Sequence, residues 1–66
     1  IIKIGGKFND HFHPDLIEST EVIFGSVKDL KTDLDYLQHD VVQYNKGTEH
    51  ELIALEDTRL HVIFKP

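Results

Sequence analysis

The chain has no cysteine among its 66 residues, so no disulfide can staple the fold and no thiolate can bind a metal or attack a substrate. The redox compartment is left open, with a reducing cytosol as the default. No apolar run exceeds four residues, far short of the ~20 that span a bilayer as a helix, and no basic-then-apolar leader is visible. The expectation is a soluble, cytoplasmic protein with no membrane partner. Positive charge is scarce too. Seven Lys and Arg stand against twelve Asp and Glu, a net charge of −5, and the basic residues are scattered, so no nucleic-acid partner is expected. Length is a further shortage. A chain this short buries only about 60% of its unfolded surface, and its core rarely contributes more than about 3–5 kcal/mol net. The expectation is a single domain over residues 1–66, helped by a bound metal or a partner subunit.

What the chain does contain is a succession of short extended runs. Ile1 to Ile4 suits an edge strand, broken by Gly5 and Gly6. Phe8 to His13 reads as a second strand, with Phe8 and Phe12 on one face and the histidines on the other, and Pro14-Asp15 turns it. Glu18 to Phe24 is extended again, with Thr20, Val22 and Phe24 on the face of Glu18, and Gly25 ends it. Ser26 to Gln38 stays open: Val27, Leu30, Leu34 and Leu37 have helical spacing and Ser26 with Asp29 suits a capping box, but a hairpin turning near Lys31-Thr32-Asp33 fits as well. Gln38-His39-Asp40 reads as a turn, Val41 to Tyr44 as a strand, and Asn45-Lys46-Gly47 as a further turn. From His50 to Leu55 the pattern alternates, with His50, Leu52 and Ala54 on one face. Glu56-Asp57-Thr58 is a polar loop and Arg59 to Phe64 the last strand. Short strands at this spacing predict an all-β barrel or sandwich.

Four residues stand out chemically. His11 and His13 are two apart, so on an extended strand both imidazoles project to the same side. Glu18 follows the Pro14-Asp15 turn, and His50 heads the inward-facing set far down the chain. Three imidazoles and one carboxylate suit a divalent transition metal, being softer than a magnesium or calcium cage. Each residue also has a plainer reading. His11 and His13 can be exposed strand residues, and His50 a barrel-mouth histidine bonded to backbone. Glu21 competes with Glu18, but parity turns Glu21 outward with Ile23. His39 and His61 have no partner at a motif spacing and read as a turn residue and an outward strand residue. Tyr36 and Tyr44 either line the mouth or pack in a core or interface. Phe8, Phe12, Phe24 and Phe64 are core or an apolar rim, and Asp29, Asp33 and Asp35 read as a solvated loop.

The spacing Gly5, five residues, His11, one residue, His13, four residues, Glu18, six residues, Gly25 resembles the first motif of the cupin superfamily at every position. Asp40 through Gly47 to His50 resembles the second motif, with three departures. His39 stands where the family usually has Gly, Asn45 where it usually has Pro, and Ala54 where the long form of the motif has Asn. The two blocks and their spacer cover about two-thirds of the chain. The resemblance implies a small antiparallel jelly-roll β-barrel, a compact one because only thirteen residues separate Gly25 from His39. It implies a metal held by His11, His13, Glu18 and His50, the ion being Fe, Mn, Ni, Co or Zn. It also favours the hairpin over the helix for Ser26 to Gln38, since the family has a hairpin between its motifs.

Three neutral imidazoles and one carboxylate leave a divalent ion with residual positive charge and open positions, so an anionic oxygen donor is a natural guest. The functional expectation is a metal-dependent oxidoreductase or dioxygenase, or an isomerase, acting on a small oxygenated substrate. The alternative is a non-catalytic module whose metal or small ligand serves sensing, binding or assembly. Apolar surface at Ile1 to Ile4 and at Ile23, Ile53 and Ile63 predicts a homodimer.

Overall fold

The computed structural model describes residues 1–9 and 15–66, and of Asn9 the backbone alone. The described chain is all-β. Its strands are β1 (Lys7–Asn9), β2 (Ile17–Phe24), β3 (Ser26–Asp29), β4 (Leu34–Leu37), β5 (Val41–Tyr44), β6 (Glu51–Ala54) and β7 (Arg59–Lys65). They form two antiparallel sheets, one in the order β1-β6-β3-β4 and the other β5-β2-β7. Among the described residues no strand ladder joins the two sheets into a closed barrel.

The period-two pattern of β2 decides which side faces inward. Glu18, Thr20 and Val22 are buried, whereas the residues between them are only partly covered. Opposite them, Val27 and Asp29 of β3 and Leu52 and Ala54 of β6 are buried in the same alternation. Val22, Val27 and Leu52 form the apolar centre, and Phe8, Tyr36 and Leu60 pack around it. Buried polar residues share this small interior, so most of what fixes it beyond apolar contact is hydrogen bonding.

Two of the places where the chain changes sheet lie side by side at one end of the molecule. Gly25 carries it from β2 to β3, and the segment after β6 carries it back to β7. Thr58 locks these crossings together. Its hydroxyl accepts from Ser26 N at 3.1 Å and lies 2.8 Å from the Glu56 carbonyl, while Ser26 Oγ donates to Glu56 at 2.7 Å. Gly25 has φ +89°, and a Cβ there would collide with the Thr58 hydroxyl and with the Asp57 carbonyl at 2.5 Å.

Two expectations are resolved and one is corrected. Ser26 to Gln38 is a hairpin: β3 pairs with β4, and Asp29 opposes Leu34 across a turn in which Asp33 takes φ 62°. The turn at Gln38-His39-Asp40 is present, with His39 at φ 76°. Ile1 to Ile4, by contrast, is not a strand. A single bridge joins Ile2 to Thr58, and the chain then turns, with Gly6 N 2.9 Å from the Lys3 carbonyl and Gly5 at φ 81°. The diglycine bends the backbone before a second bridge can form. The expected strand from Phe8 to His13 is described from Lys7 to Asn9 as β1. Its remaining residues, with Phe12 and the Pro14 turn, lie outside the described residues.

Candidate metal centre

Polar groups from four segments gather at the other end of the sandwich. Glu18 lies near the start of β2, Asp29 at the end of β3, Tyr44 at the end of β5, and His50 immediately before β6. Because β2 and β6 belong to different sheets, their first inward-facing residues meet across the interior. His50 Nε2 lies 2.7 Å from Glu18 Oε2, with Glu18 5% and His50 8% exposed. The Thr20 hydroxyl, one inward step along β2, donates to the same carboxylate oxygen at 3.1 Å. Buried polar groups are tolerated when they are met by hydrogen bonds of this kind.

Tyr44 completes the arrangement. It stands opposite Glu18 in the β2–β5 ladder, and its ring lies flat on the His50 imidazole, centroids 3.9 Å apart and planes within 2° of parallel. Its hydroxyl donates to Asp29 Oδ2 at 2.7 Å. Burial first, then the hydrogen bond to Asp29 and the charge of that carboxylate, pushes the Tyr44 phenol well above its ordinary range. Asp29 is in turn held by two turn amides, Lys31 N at 2.8 Å and Thr32 N at 3.2 Å, both donating to Oδ1.

Of the four sequence-predicted ligands, the structure brings Glu18 and His50 together in the interior. His11 and His13 lie outside the described residues. Among the described residues no cluster of three or more metal-ligating side chains forms. The donors that are present suit a divalent transition metal, being one carboxylate oxygen and one imidazole nitrogen turned toward each other in a shielded place. His39 and His61 are exposed, as expected of a turn and an outward strand position; His61 stands opposite Glu21 in the β2–β7 ladder.

One reading is overturned. Asp29 is not part of a solvated acidic loop, for it is 1% exposed and binds Tyr44, whereas Asp33 and Asp35 are exposed and pair with Lys28 at 3.3 and 3.6 Å. The signal was available in the parity of β3, since Asp29 is two residues beyond the fully buried Val27. Phe8 packs against the core, Phe24 is partly buried, and Phe64, opposite Glu18 on β7, is 42% exposed.

No protein-family model, curated protein or solved structure matches the chain. No helix among the described residues is long and apolar enough to cross a membrane, which says nothing of crossing by strands.

Proposed function

We propose that this chain is a small metal-binding domain of the jelly-roll type, similar to the cupins, with His11, His13, Glu18 and His50 holding one divalent transition metal ion. The observation that carries the reading is the buried approach of Glu18 to His50 at 2.7 Å, made by residues that fall at ligand positions of two separate motifs. Chain continuity supports adding the other two histidines. Asn9 pairs with Glu51, the neighbour of His50, His11 follows Asn9 by two residues, and Glu18 is five residues beyond His13.

In this reading Glu18 supplies the anionic donor and His50 a neutral nitrogen, each giving up a hydrogen-bonded proton site to the ion. Bound metal would supply Lewis acidity and open positions for a small oxygenated substrate with an anionic oxygen. The reaction class this suits is oxidation or dioxygenation, with isomerisation as the related possibility. Phe64, opposite Glu18 on β7, would contact the apolar part of such a substrate.

A second reading has its own support. Among the described residues the buried apolar cluster consists of Val22, Val27 and Leu52, and the core of so short a chain rarely contributes more than about 3–5 kcal/mol. An ion whose main effect is to hold the fold together, in a module that senses or assembles, answers that shortage.

Elemental analysis of protein purified without added metal, followed by titration with Zn(II), Mn(II), Co(II), Ni(II) and Fe(II), tests the proposal. Stoichiometric binding is expected in wild type and in His61→Ala, and its loss in His11→Ala or in His50→Gln, which keeps a donor beside Glu18 and so keeps the fold. Equal loss in all three variants would contradict the ligand assignment. An oxygen-uptake and substrate screen of the loaded protein separates the two readings: turnover supports the enzyme, and a raised melting temperature without turnover supports the module.

A further inference from the structure

The order around His50 extends beyond the contact with Glu18. The bond between Nε2 and Oε2 at 2.7 Å holds one edge of the imidazole. A flat surface against a ring face holds the plane of the ring. Tyr44 provides such a surface at a 3.9 Å centroid distance with the planes 2° apart. A tyrosine ring is itself able to turn unless its far end is held, and the far end of Tyr44 is held at 2.7 Å by Asp29. The Asp29 carboxylate is buried, and its other oxygen is pinned by the amides of Lys31 and Thr32 in the β3–β4 turn.

We propose that Tyr44 is a positioning residue for His50, and that Asp29 acts through Tyr44 to fix the imidazole plane so that Nε2 is aimed at the Glu18 side of the site. The role is distinct from acid or base work. The Tyr44 proton is directed to Asp29, away from the histidine, so the phenol offers His50 its face and not its hydroxyl. An electron-rich ring face is also the surface against which an imidazole that has become electron-poor is stabilised. Groups that orient a ligating histidine in this way typically change metal affinity 10–100-fold when removed.

Where it concerns metal affinity, the inference rests on the reading of His50 as a ligand; where it concerns ring orientation it stands alone, and the experiment keeps the two apart. In metal-free protein, NMR of the His50 ring protons reports the stack directly, because a parallel aromatic face shifts them upfield. The variants are Tyr44→Leu, which removes face and anchor; Tyr44→Phe, which keeps the face and removes the anchor; and Tyr36→Leu, a control for lost packing next to the same core.

Tyr44→Leu is expected to return the His50 ring protons toward free-histidine positions and to weaken Zn(II) binding, measured by chelator competition, about 10–100-fold. Tyr44→Phe should retain part of the upfield shift and weaken Zn(II) by a smaller factor, while Tyr36→Leu should leave both readouts as in wild type. Unchanged ring shifts in Tyr44→Leu, or equal changes in Tyr36→Leu, would overturn the positioning role. Tyr44→Phe identical to wild type in both would overturn the part assigned to Asp29. If wild type takes up no Zn(II), the ligand reading fails, and the ring shifts still decide the role of Tyr44.

Discussion

Glu18 and His50 are 32 residues apart in sequence and 2.7 Å apart in space, in a setting that shields both from water. Removing one member of a buried, hydrogen-bonded pair typically costs about 3–5 kcal/mol, which is the scale of the whole net stability expected for so short a chain. His50→Ala without added metal should therefore be largely unfolded at 25 °C, and His50→Gln, which keeps a donor near the carboxylate, should lose about 1–3 kcal/mol. Urea unfolding followed by circular dichroism measures both. A wild-type midpoint for His50→Ala would mean the pair contributes nothing to folding.

Gly25 sits where a methyl group would enter the space of Thr58 and the Asp57 carbonyl, at a φ of +89° that L-residues rarely adopt. Both effects oppose a side chain, so Gly25→Ala should lose at least about 2 kcal/mol. Thr58→Val keeps the shape but removes a hydroxyl that bonds Ser26 and Glu56, for a loss of about 1–3 kcal/mol. Chemical denaturation of the two single variants and the double variant would show coupling between them; simple additivity would separate the glycine from the threonine.

His39 occupies a left-handed conformation, φ 76°, at the position where the cupin pattern has Gly. The strain of that conformation is about 1–2 kcal/mol, partly offset by the greater unfolded-state freedom of glycine. His39→Gly should therefore stabilise the protein by about 0.5–1 kcal/mol. The melting temperature should rise, and a fall would indicate that the exposed imidazole makes a contact worth more than the strain.

The phenols predict an alkaline limit. Burial is the first cause of the upward shift in both Tyr44 and Tyr36, with Asp29 reinforcing it. A folded-state pKa above the unfolded value means that the contribution to stability is complete below the ordinary tyrosine value of about 10 and declines as pH rises beyond it. Phenolate absorbance of Tyr44 should appear only with unfolding, whereas Tyr36, partly covered, should ionise earlier. In Tyr44→Phe the decline in stability above that pH should be smaller; an equally steep decline would assign it to other groups.

Association is a further structural consequence open to measurement in solution. Ile1, Ile4, Leu37, Val41 and Ile63 are exposed, and β7 is a seven-residue edge strand. Unprotected edges and apolar surface of this kind are normally covered by a partner. Sedimentation at micromolar concentration should give twice the chain mass of 7.6 kDa; a mass equal to that of one chain would remove the homodimer.

Much of the fold was legible because it is local. Strand limits followed from β-branched and aromatic runs, and turns from Asn45-Lys46-Gly47 and from Gln38-His39-Asp40. Inward faces followed from counting by two through Glu18, Thr20 and Val22, and again through His50, Leu52 and Ala54. By parity Asp29 belongs with Val27 and not with its acidic neighbours, and the diglycine cuts the short N-terminal run to one bridge.

The sequence by itself determined that the chain outside Ser26 to Gln38 reads as short extended runs, which side chains of each run face one way, and which residues carry groups able to bind a metal. All of this rests on backbone preference and a two-residue period, properties that each segment carries alone. Only the tertiary structure decided that the β2 carboxylate meets the imidazole ahead of β6, that Tyr44 lies on that imidazole, and that Asp29 anchors Tyr44. Those contacts depend on how two sheets are offset and connected, and a crossing as small as Gly25 under Thr58 sets that offset, which no single strand encodes.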